Sequence, residues 1–384
     1  MNTVKQKQLR RNYCQMLRGE WASELPQDMD FWYMLRSEGV FFCACKKLSE
    51  AQRQQIPDEI MKGMDERAYT ASSLRMKHAL GHILRELNAA HVPVICLRGQ
   101  ALAESLYEPA SMRAYSDFDL LFDQQNSLVL KQILGNRLMY RPADKFPSLF
   151  KKGDFIIDLH SEPLGIERMQ SWSHLTPLRA PDFFKHAETG MLASEEALYI
   201  HPRVNLPYLC FHAMKHSFDR LIWLYDIALL AEKIEGDVKR NIEKNIEKRG
   251  GWDAVLEGIC EYKLERPCFY ALAYVQEHLN APVPGYILEA IRPDMGFVER
   301  RLFARHMKFE VIPYLAERLF ARMQPSFKHR VEFWRETIYP SDEIRAQIAG
   351  GGCVKCGFIR RRIKQITRAC LFFVRECYFL FRHP

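Results

Sequence analysis

The chain has 384 residues, 48% hydrophobic and 27% charged, with a formal net charge of +8. That length accommodates two or three structural units, and the apolar content is ample for a packed core, which excludes an intrinsically disordered chain. The positive balance is moderate: it suits an anionic substrate such as a nucleotide and does not by itself indicate a nucleic-acid binder.

Eleven cysteines are scattered without the spacing of a disulfide framework. The opening MNTVKQKQLRRNYCQ has no apolar core region, so no secretory leader is expected. Free, mostly buried thiols in a reducing cytoplasm are the simplest account. No apolar run approaches the roughly 20 residues that span a bilayer.

Residues 1–90 read as helical. Asp28–Leu48 carries a dense apolar face of Phe31, Trp32, Met34, Leu35, Val40, Phe41 and Phe42. Pro57 opens a long segment in which Leu74, Met76, Ala79, Leu80, Ile83, Leu84 and Leu87 recur at threes and fours, the pattern of a helix buried on one side. Pro93 stops it, and this helical preamble is expected to pack on the domain that follows.

An apolar strand, Val92–Leu97, breaks at Arg98-Gly99, and a short helix is expected over Ala101–Tyr107. The next strand carries Asp117 and Asp119, which point to one face because strand side chains alternate with period two. Phe118 and Leu120-Leu121-Phe122 supply its buried side. Paired carboxylates repel and resist desolvation, and a divalent cation with a taste for oxygen ligands relieves both costs. An Asp-x-Asp is common by chance and more often sits on a solvated edge. A glycine turn, a helix and an acid-x-acid strand together are the layout of a nucleotidyltransferase site.

Further along, Ser127–Leu138 reads as a helix with Leu128, Leu130, Ile133 and Leu134 inward, and Tyr140–Pro147 as irregular. Lys152-Gly153-Asp154 is a hairpin turn between two apolar runs. On the second run Phe155, Ile157 and Leu159 share one face, while Ile156, Asp158 and His160 share the other. Asp158 is then a third carboxylate within reach of the Asp117/Asp119 strand. His160 beside it can orient that acid or serve as a hydrogen-bonded structural histidine.

These residues carry a resemblance. Leu97-Arg98-Gly99, Tyr107, Arg113, Asp117-Phe118-Asp119-Leu120-Leu121 and Ile157-Asp158-Leu159-His160 are similar to the uncharacterised nucleotidyltransferase family of the DNA polymerase beta-like superfamily. Its pattern is a Lys-Gly or Arg-Gly turn, a Tyr-Pro-like step, an Arg, an Asp-x-Asp-Leu-Leu strand and a later Asp-Leu-His. The likeness continues through Phe211–His216, Arg220, Trp223 and Asp226, and more weakly at Tyr339-Pro340-Ser341 and Ile344-Arg345. It is strongest over residues 92–230. Two departures stand out: Gln100 follows Gly99 where the superfamily's familiar signature has Gly-Ser, and Glu108 precedes Pro109.

The resemblance implies an α+β fold, a small mixed β-sheet core flanked by helical N-terminal and C-terminal regions. It implies transfer of a nucleoside monophosphate from a nucleoside triphosphate to an acceptor hydroxyl or phosphate of a small molecule, tRNA or protein. Two magnesium ions, with manganese as a substitute, would be held by Asp117, Asp119 and Asp158, with Asp158 helping to deprotonate the acceptor. Gly99 would admit the triphosphate to the backbone, and Arg98 and Arg113 would neutralise phosphate oxygens. Alternatively Arg113 pairs with a neighbouring acid. A second functional class stays open: a protein that retains the fold and binds nucleotide, or scaffolds a partner, without turnover.

A second helical region begins near Leu192, with one helix expected over Leu206–Lys233. His212 and His216 lie four apart on one face, a zinc-like spacing, but Ala213 replaces the general base of His-Glu-x-x-His. With Lys215 and Arg220 they read better as a nucleotide-facing surface. Trp223 and Tyr225 can stack on a base or fill the core. Asp226 is expected to pair with one of these cations. Residues 236–325 continue as amphipathic helix without a motif.

After Gly350-Gly351-Gly352 come a lone Cys353-x-x-Cys356 and a stretch, Phe358–Arg382, mixing arginines with Leu371, Phe372, Phe373, Tyr378 and Phe379. It can meet an anionic membrane or RNA, but docking on the protein is the preferred reading. The expected units are residues 1–90, 91–165, 166–345 and 346–384.

Overall fold

A computed structural model of the chain describes residues 3–340 apart from 22–23, 64, 144–145, 167–168, 244–250 and 313. Ser341, Ile344-Arg345, the Gly350–Gly352 break, Cys353/Cys356 and the basic segment after them lie outside the described residues.

The described residues form seven strands: β1 Val94–Cys96, β2 Phe118–Phe122, β3 Arg141–Ala143, β4 Phe146–Lys152, β5 Phe155–His160, β6 Ala187–Leu192 and β7 Glu195–Ile200. They make one sheet in the order β3-β4-β5-β2-β1-β7-β6. β2 runs parallel to β5 and β1 parallel to β7, while the other pairs are antiparallel. The fold is α+β, with a mixed sheet and flanking helices, as expected.

The alternation of β2 sorts its side chains. Phe118, Leu120 and Phe122, with Ile157 and Leu159 of β5, face Leu80, Ile83, Leu84 and Leu87 of the Glu66–Ala89 helix. Leu121, with Ile95 and Leu97, faces a larger core shared with the helices Pro202–Lys215, Leu221–Glu243 and Glu265–Leu279. Each fully buried Leu or Phe contributes about 1.5–3 kcal/mol, so the period-two pattern fixes which way the strand lies. Asp119, in step with Leu121, is thereby turned toward the helical side. The Pro202–Lys215 helix is apolar nearly all round and forms the central post of that side.

Several expectations are corrected. The region from 166 onward is not purely helical, because β6 and β7 extend the sheet beside β1. Their connection is a two-residue turn, Ala193-Ser194, with both residues at positive φ (52° and 66°). Such turns usually advertise themselves with Asn-Gly, and Ala-Ser carries no such signal. The stretch expected to be irregular, Tyr140–Pro147, includes β3 and the start of β4, with Pro142 on the sheet's outermost strand where a missing N–H is tolerated.

The single helix over Leu206–Lys233 is two helices. Ser217 N–H donates to Met214 O and Phe218 N–H to Ala213 O, each at 2.8 Å, with Ser217 at φ 54°, a Schellman-type stop. Phe218 is buried, and Arg10 Nη1 donates to its carbonyl at 2.9 Å, which locks the break from a distant helix.

The N-terminal preamble is also divided. The Glu66–Ala89 helix covers the sheet, whereas Thr3–Arg18 packs on Glu265–Leu279, where Arg18 donates to the His278 carbonyl at 2.9 Å. Leu74 and Leu128, expected inward, are exposed. The helix expected over Ser127–Leu138 ends its regular turns at Gln132 and continues as a wider π-turn over Ile133–Arg137. Of the described cysteines, Cys14, Cys43, Cys96, Cys210 and Cys268 are buried, Cys45 is partly buried and Cys260 exposed, all as free thiols. No helix among the described residues is long and apolar enough to cross a membrane.

Candidate active site

β2 and β5 run parallel in a register that sets Asp119 opposite Asp158, flanked by Phe118 opposite Ile157 and Leu120 opposite Leu159. Both acids therefore emerge at one level on the helical side of the sheet. His160, two residues beyond Asp158 on the same face, has Nε2 3.0 Å from Asp119 Oδ1 and 3.5 Å from Asp158 Oδ2. One ligand atom from each of the three lies within 4.8 Å of the other two. Two carboxylates and an imidazole at that spacing fit a divalent ion.

Asp117 precedes the strand and stands outside that trio, with Ser116 Oγ donating to its Oδ1 at 3.3 Å. Its carboxyl is held above the ordinary value by burial and by the charge of Asp119. Burial pushes Asp119 the same way, but Arg98 and His160 outweigh it and leave that carboxyl below the usual range. The two acids thus differ in basicity although one residue separates them.

β1 delivers Arg98 and Gly99. Gly99 has φ 53° and ψ −114°, a backbone state closed to residues with a side chain, and it starts the Gln100–Leu106 helix. A Cβ there would meet only ordinary contacts, the nearest being the Asp117 carbonyl at 3.4 Å, so conformation and not space demands glycine. The turn swings Arg98 over the acids. Its Nη2 donates to Asp119 Oδ1 at 2.5 Å, and Nη1 lies 2.7 Å from Nε2 of His212. His212 is buried and held well below its ordinary pKa, by burial first and by Arg98 second, so it meets the guanidinium as a neutral acceptor.

Arg113 is placed differently from the phosphate-contact expectation. Its Nε and Nη2 donate to the two Asp226 oxygens at 2.8 and 2.7 Å, and Nη1 reaches the Gly99 carbonyl at 3.4 Å. Tyr107 donates to Asp226 Oδ1 at 2.7 Å. The group is buried, and the bidentate geometry uses up the planar face of the guanidinium. Arg113 thus braces the Gly99 turn against the Leu221–Glu243 helix. Asp226, expected to pair with Lys215 or Arg220, is committed to Arg113 instead.

The remaining residues divide between cavity and wall. Arg98, His160, Leu164, Tyr208, His212 and Lys215 line a cavity of about 30 Å³ beside the acids. Lys215 Nζ also sits 5.0 Å above the Trp172 ring. Arg220 lies over the ring of Trp223 at 5.7 Å. His216 is set further out, its ring 4.7 Å from that of Trp223, which lies 5.2 Å from the His212 ring. Packed on an indole and on Arg98, the His212/His216 pair does not present an open zinc face.

Sequence reasoning missed Tyr208, Leu164 and Trp172. No local signal distinguishes an apolar or aromatic side chain that lines a cleft from one that fills a core. Gly165 is different: at φ 74° it marks a tight turn, and a Cβ there would come within 3.1 Å of Lys215 Nζ.

The family model described as "Uncharacterised nucleotidyltransferase" matches residues 26–280, a span that takes in the whole sheet, the acids and the helix carrying His212 and Lys215. No curated protein and no solved structure matches the chain. The chain belongs to the uncharacterised nucleotidyltransferase family.

Proposed function

We propose that this chain transfers a nucleoside monophosphate from a nucleoside triphosphate to an acceptor hydroxyl or phosphate, using Asp117, Asp119 and Asp158. The observation that carries the reading is the parallel register that sets Asp119 against Asp158, with His160 hydrogen-bonded to Asp119 and 3.5 Å from Asp158. Divalent ions, magnesium by preference and two in number, supply charge neutralisation at the phosphates when bound to these carboxylates.

The chain's own residues do the rest. The Gly99 turn lets a polyphosphate approach the backbone closely. Arg98 leaves Asp119 for a phosphate oxygen, a move between two anions that keeps its charge compensated. Lys215 and neutral His212 offer a cation and a hydrogen-bonding ring on the opposite wall. The acceptor oxygen attacks the α-phosphorus, the bond to pyrophosphate breaks, and Asp158, oriented by His160, takes the acceptor's proton. A triphosphate exceeds a 30 Å³ cavity, so it lies along the open edge near Asp117 and uses the cavity only for one group.

A second reading has its own support. The Arg98–Asp119 pair at 2.5 Å places a fixed cation where an ion would otherwise neutralise the acids. A protein that kept this pair would bind nucleotide, or a partner, without turnover.

Pyrophosphate release from each ribonucleoside triphosphate, with magnesium and a cell-extract fraction as acceptor source, separates the two. Release by wild type that falls by about 10² or more in Asp119→Asn and Asp158→Asn supports transfer. Magnesium-dependent nucleotide binding without release supports the second reading, and equal release in all three proteins overturns the assignment of the acids.

A further inference from the structure

Away from the acid strands, the Phe327–Ile338 helix is fastened to the short Gln170–His174 turn. Glu336 makes the fastening: its carboxylate accepts from the backbone N–H of Gln170 at 2.7 Å and of Ser171 at 2.9 Å. One turn earlier on the same helix, His329 and Glu332 stand three residues apart and so share a face. That face meets His174. The two imidazole rings have centroids 4.4 Å apart, and one ligand atom from each of His174, His329 and Glu332 lies within 4.8 Å of the other two.

Two imidazoles and a carboxylate converging from segments some 155 residues apart in the chain are a donor set without an assigned task. Ser326 Oγ lies 2.7 Å from His329 Nδ1, which engages one ring nitrogen and leaves Nε2 as the ligand. A hydrogen bond on the far nitrogen is the usual way a protein orients a ligating histidine.

We propose that His174, His329 and Glu332 form a zinc site, completed by water, that clips the Phe327–Ile338 helix to the Gln170–His174 turn. Zinc accepts nitrogen ligands together with a carboxylate oxygen in tetrahedral geometry. Bonds of about 2.0–2.2 Å place neighbouring ligand atoms about 3.3 Å apart, so the three close on an ion by side-chain rotation. Lys328, 4.0 Å from Glu332, is the nearby cation the ion displaces. The clip has a reach beyond the surface. Trp172 belongs to the same turn and lies under Lys215, which lines the cavity beside the acids. The inference rests on these residues alone and stands whether or not the acids transfer nucleotides.

The test uses the full chain carrying Cys353→Ser, Cys356→Ser and Asp158→Asn, so that neither the thiol pair nor the Asp119/Asp158/His160 cluster supplies a competing site. Zinc binding to chelator-treated protein is measured by competition with a chromophoric chelator, and cobalt substitution reports the ligand set by its absorption. The expected result is one zinc bound with a nitrogen/oxygen spectrum. Affinity falls by more than about tenfold when His174→Ala, His329→Ala or Glu332→Gln is added to that parent. Zinc should also raise the thermal midpoint of the parent and not that of His329→Ala. Ser326→Ala, which keeps all three ligands, should bind more weakly and guards against a ligand variant that fails to fold. A parent that binds no zinc, or zinc retained when His174→Ala/His329→Ala is added to it, overturns the proposal.

Discussion

Arg98 joins Asp119 to His212: one terminal nitrogen lies 2.5 Å from the acid and the other 2.5 and 2.7 Å from the two ring nitrogens. Three parts of the chain meet in that contact, namely the turn after β1, the centre of β2 and the central helical post. The guanidinium offsets the acid pair's repulsion on one side and keeps the histidine neutral on the other. Its removal therefore unsettles two elements at once.

Arg98→Met should cost about 3 kcal/mol of stability in the absence of divalent ions, the usual order for leaving a mostly buried acid without its partner. Magnesium should restore part of the loss in the variant and have a smaller effect on wild type, because the acids of the variant lack a competing cation. Urea unfolding with and without chelator checks both points. Equal magnesium effects in the two proteins would show that Arg98 and the ion do not share Asp119.

The Arg113–Asp226 pair predicts a different outcome. Both side chains are almost wholly buried, and Tyr107 shares the same carboxylate. Asp226→Asn should destabilise by about 3–5 kcal/mol, since it strands a buried guanidinium. Arg113→Met/Asp226→Asn should be less damaging than the sum of the single changes. Nucleotide affinity should fall about equally in Arg113→Met and Asp226→Asn, because both release the Gly99 turn, whereas a loss confined to Arg113→Met would mark a phosphate ligand.

Gly99→Ala probes the turn. The added methyl has room, but φ 53° with ψ −114° does not suit alanine, so about 1–3 kcal/mol of strain is expected. Relaxation of the turn moves Arg98, and transfer activity should fall by more than the stability loss explains. The comparison is pyrophosphate release by the fully folded variant at low temperature against wild type.

Acid sensitivity should appear well above the carboxylate range. His212 is held well below its ordinary pKa by burial and Arg98, and His306, buried and facing Arg10, is pushed down to about 3. Both bind a proton when unfolded near pH 6.5 and resist it when folded. Their contribution is therefore present above about pH 6.5 and is lost as pH falls toward the folded values. Each contributes about 1.4 kcal/mol per pH unit in that window, so the two together should lower stability by about 2–3 kcal/mol between pH 6.5 and 5.5. Asp117, raised by burial and Asp119, acts with the opposite sign, and the window of the lowered Asp119 lies below about pH 4. Urea midpoints across pH 7.5 to 5 would reveal the slope, and a flat profile would mean that both rings protonate in the folded chain.

Much of the site was legible because strand periodicity is a local property. Alternation alone places Asp117 and Asp119 on one face and Asp158 with His160 on another strand's face; the structure brings Asp119, Asp158 and His160 together, while Asp117 lies just before β2. What alternation does not contain is register. That Asp119 stands opposite Asp158, and not a residue to either side, depends on β2 and β5 pairing in parallel with 38 residues of chain between the two acids, through cores on both faces of the sheet.

The errors share one cause. The Ala193-Ser194 turn, the stop at Ser217-Phe218 and the partner chosen by Arg113 each involve something distant in sequence: the pairing of β7 on β1, the guanidinium of Arg10 and the carboxylate of Asp226. Sequence by itself determined the faces of β2 and β5 and the long Glu66–Ala89 helix, because these follow from residue type and spacing. Only the tertiary structure decided which cation meets which acid, since a buried charge is stabilised by whichever partner the packing brings within about 3 Å and chain order says nothing of that.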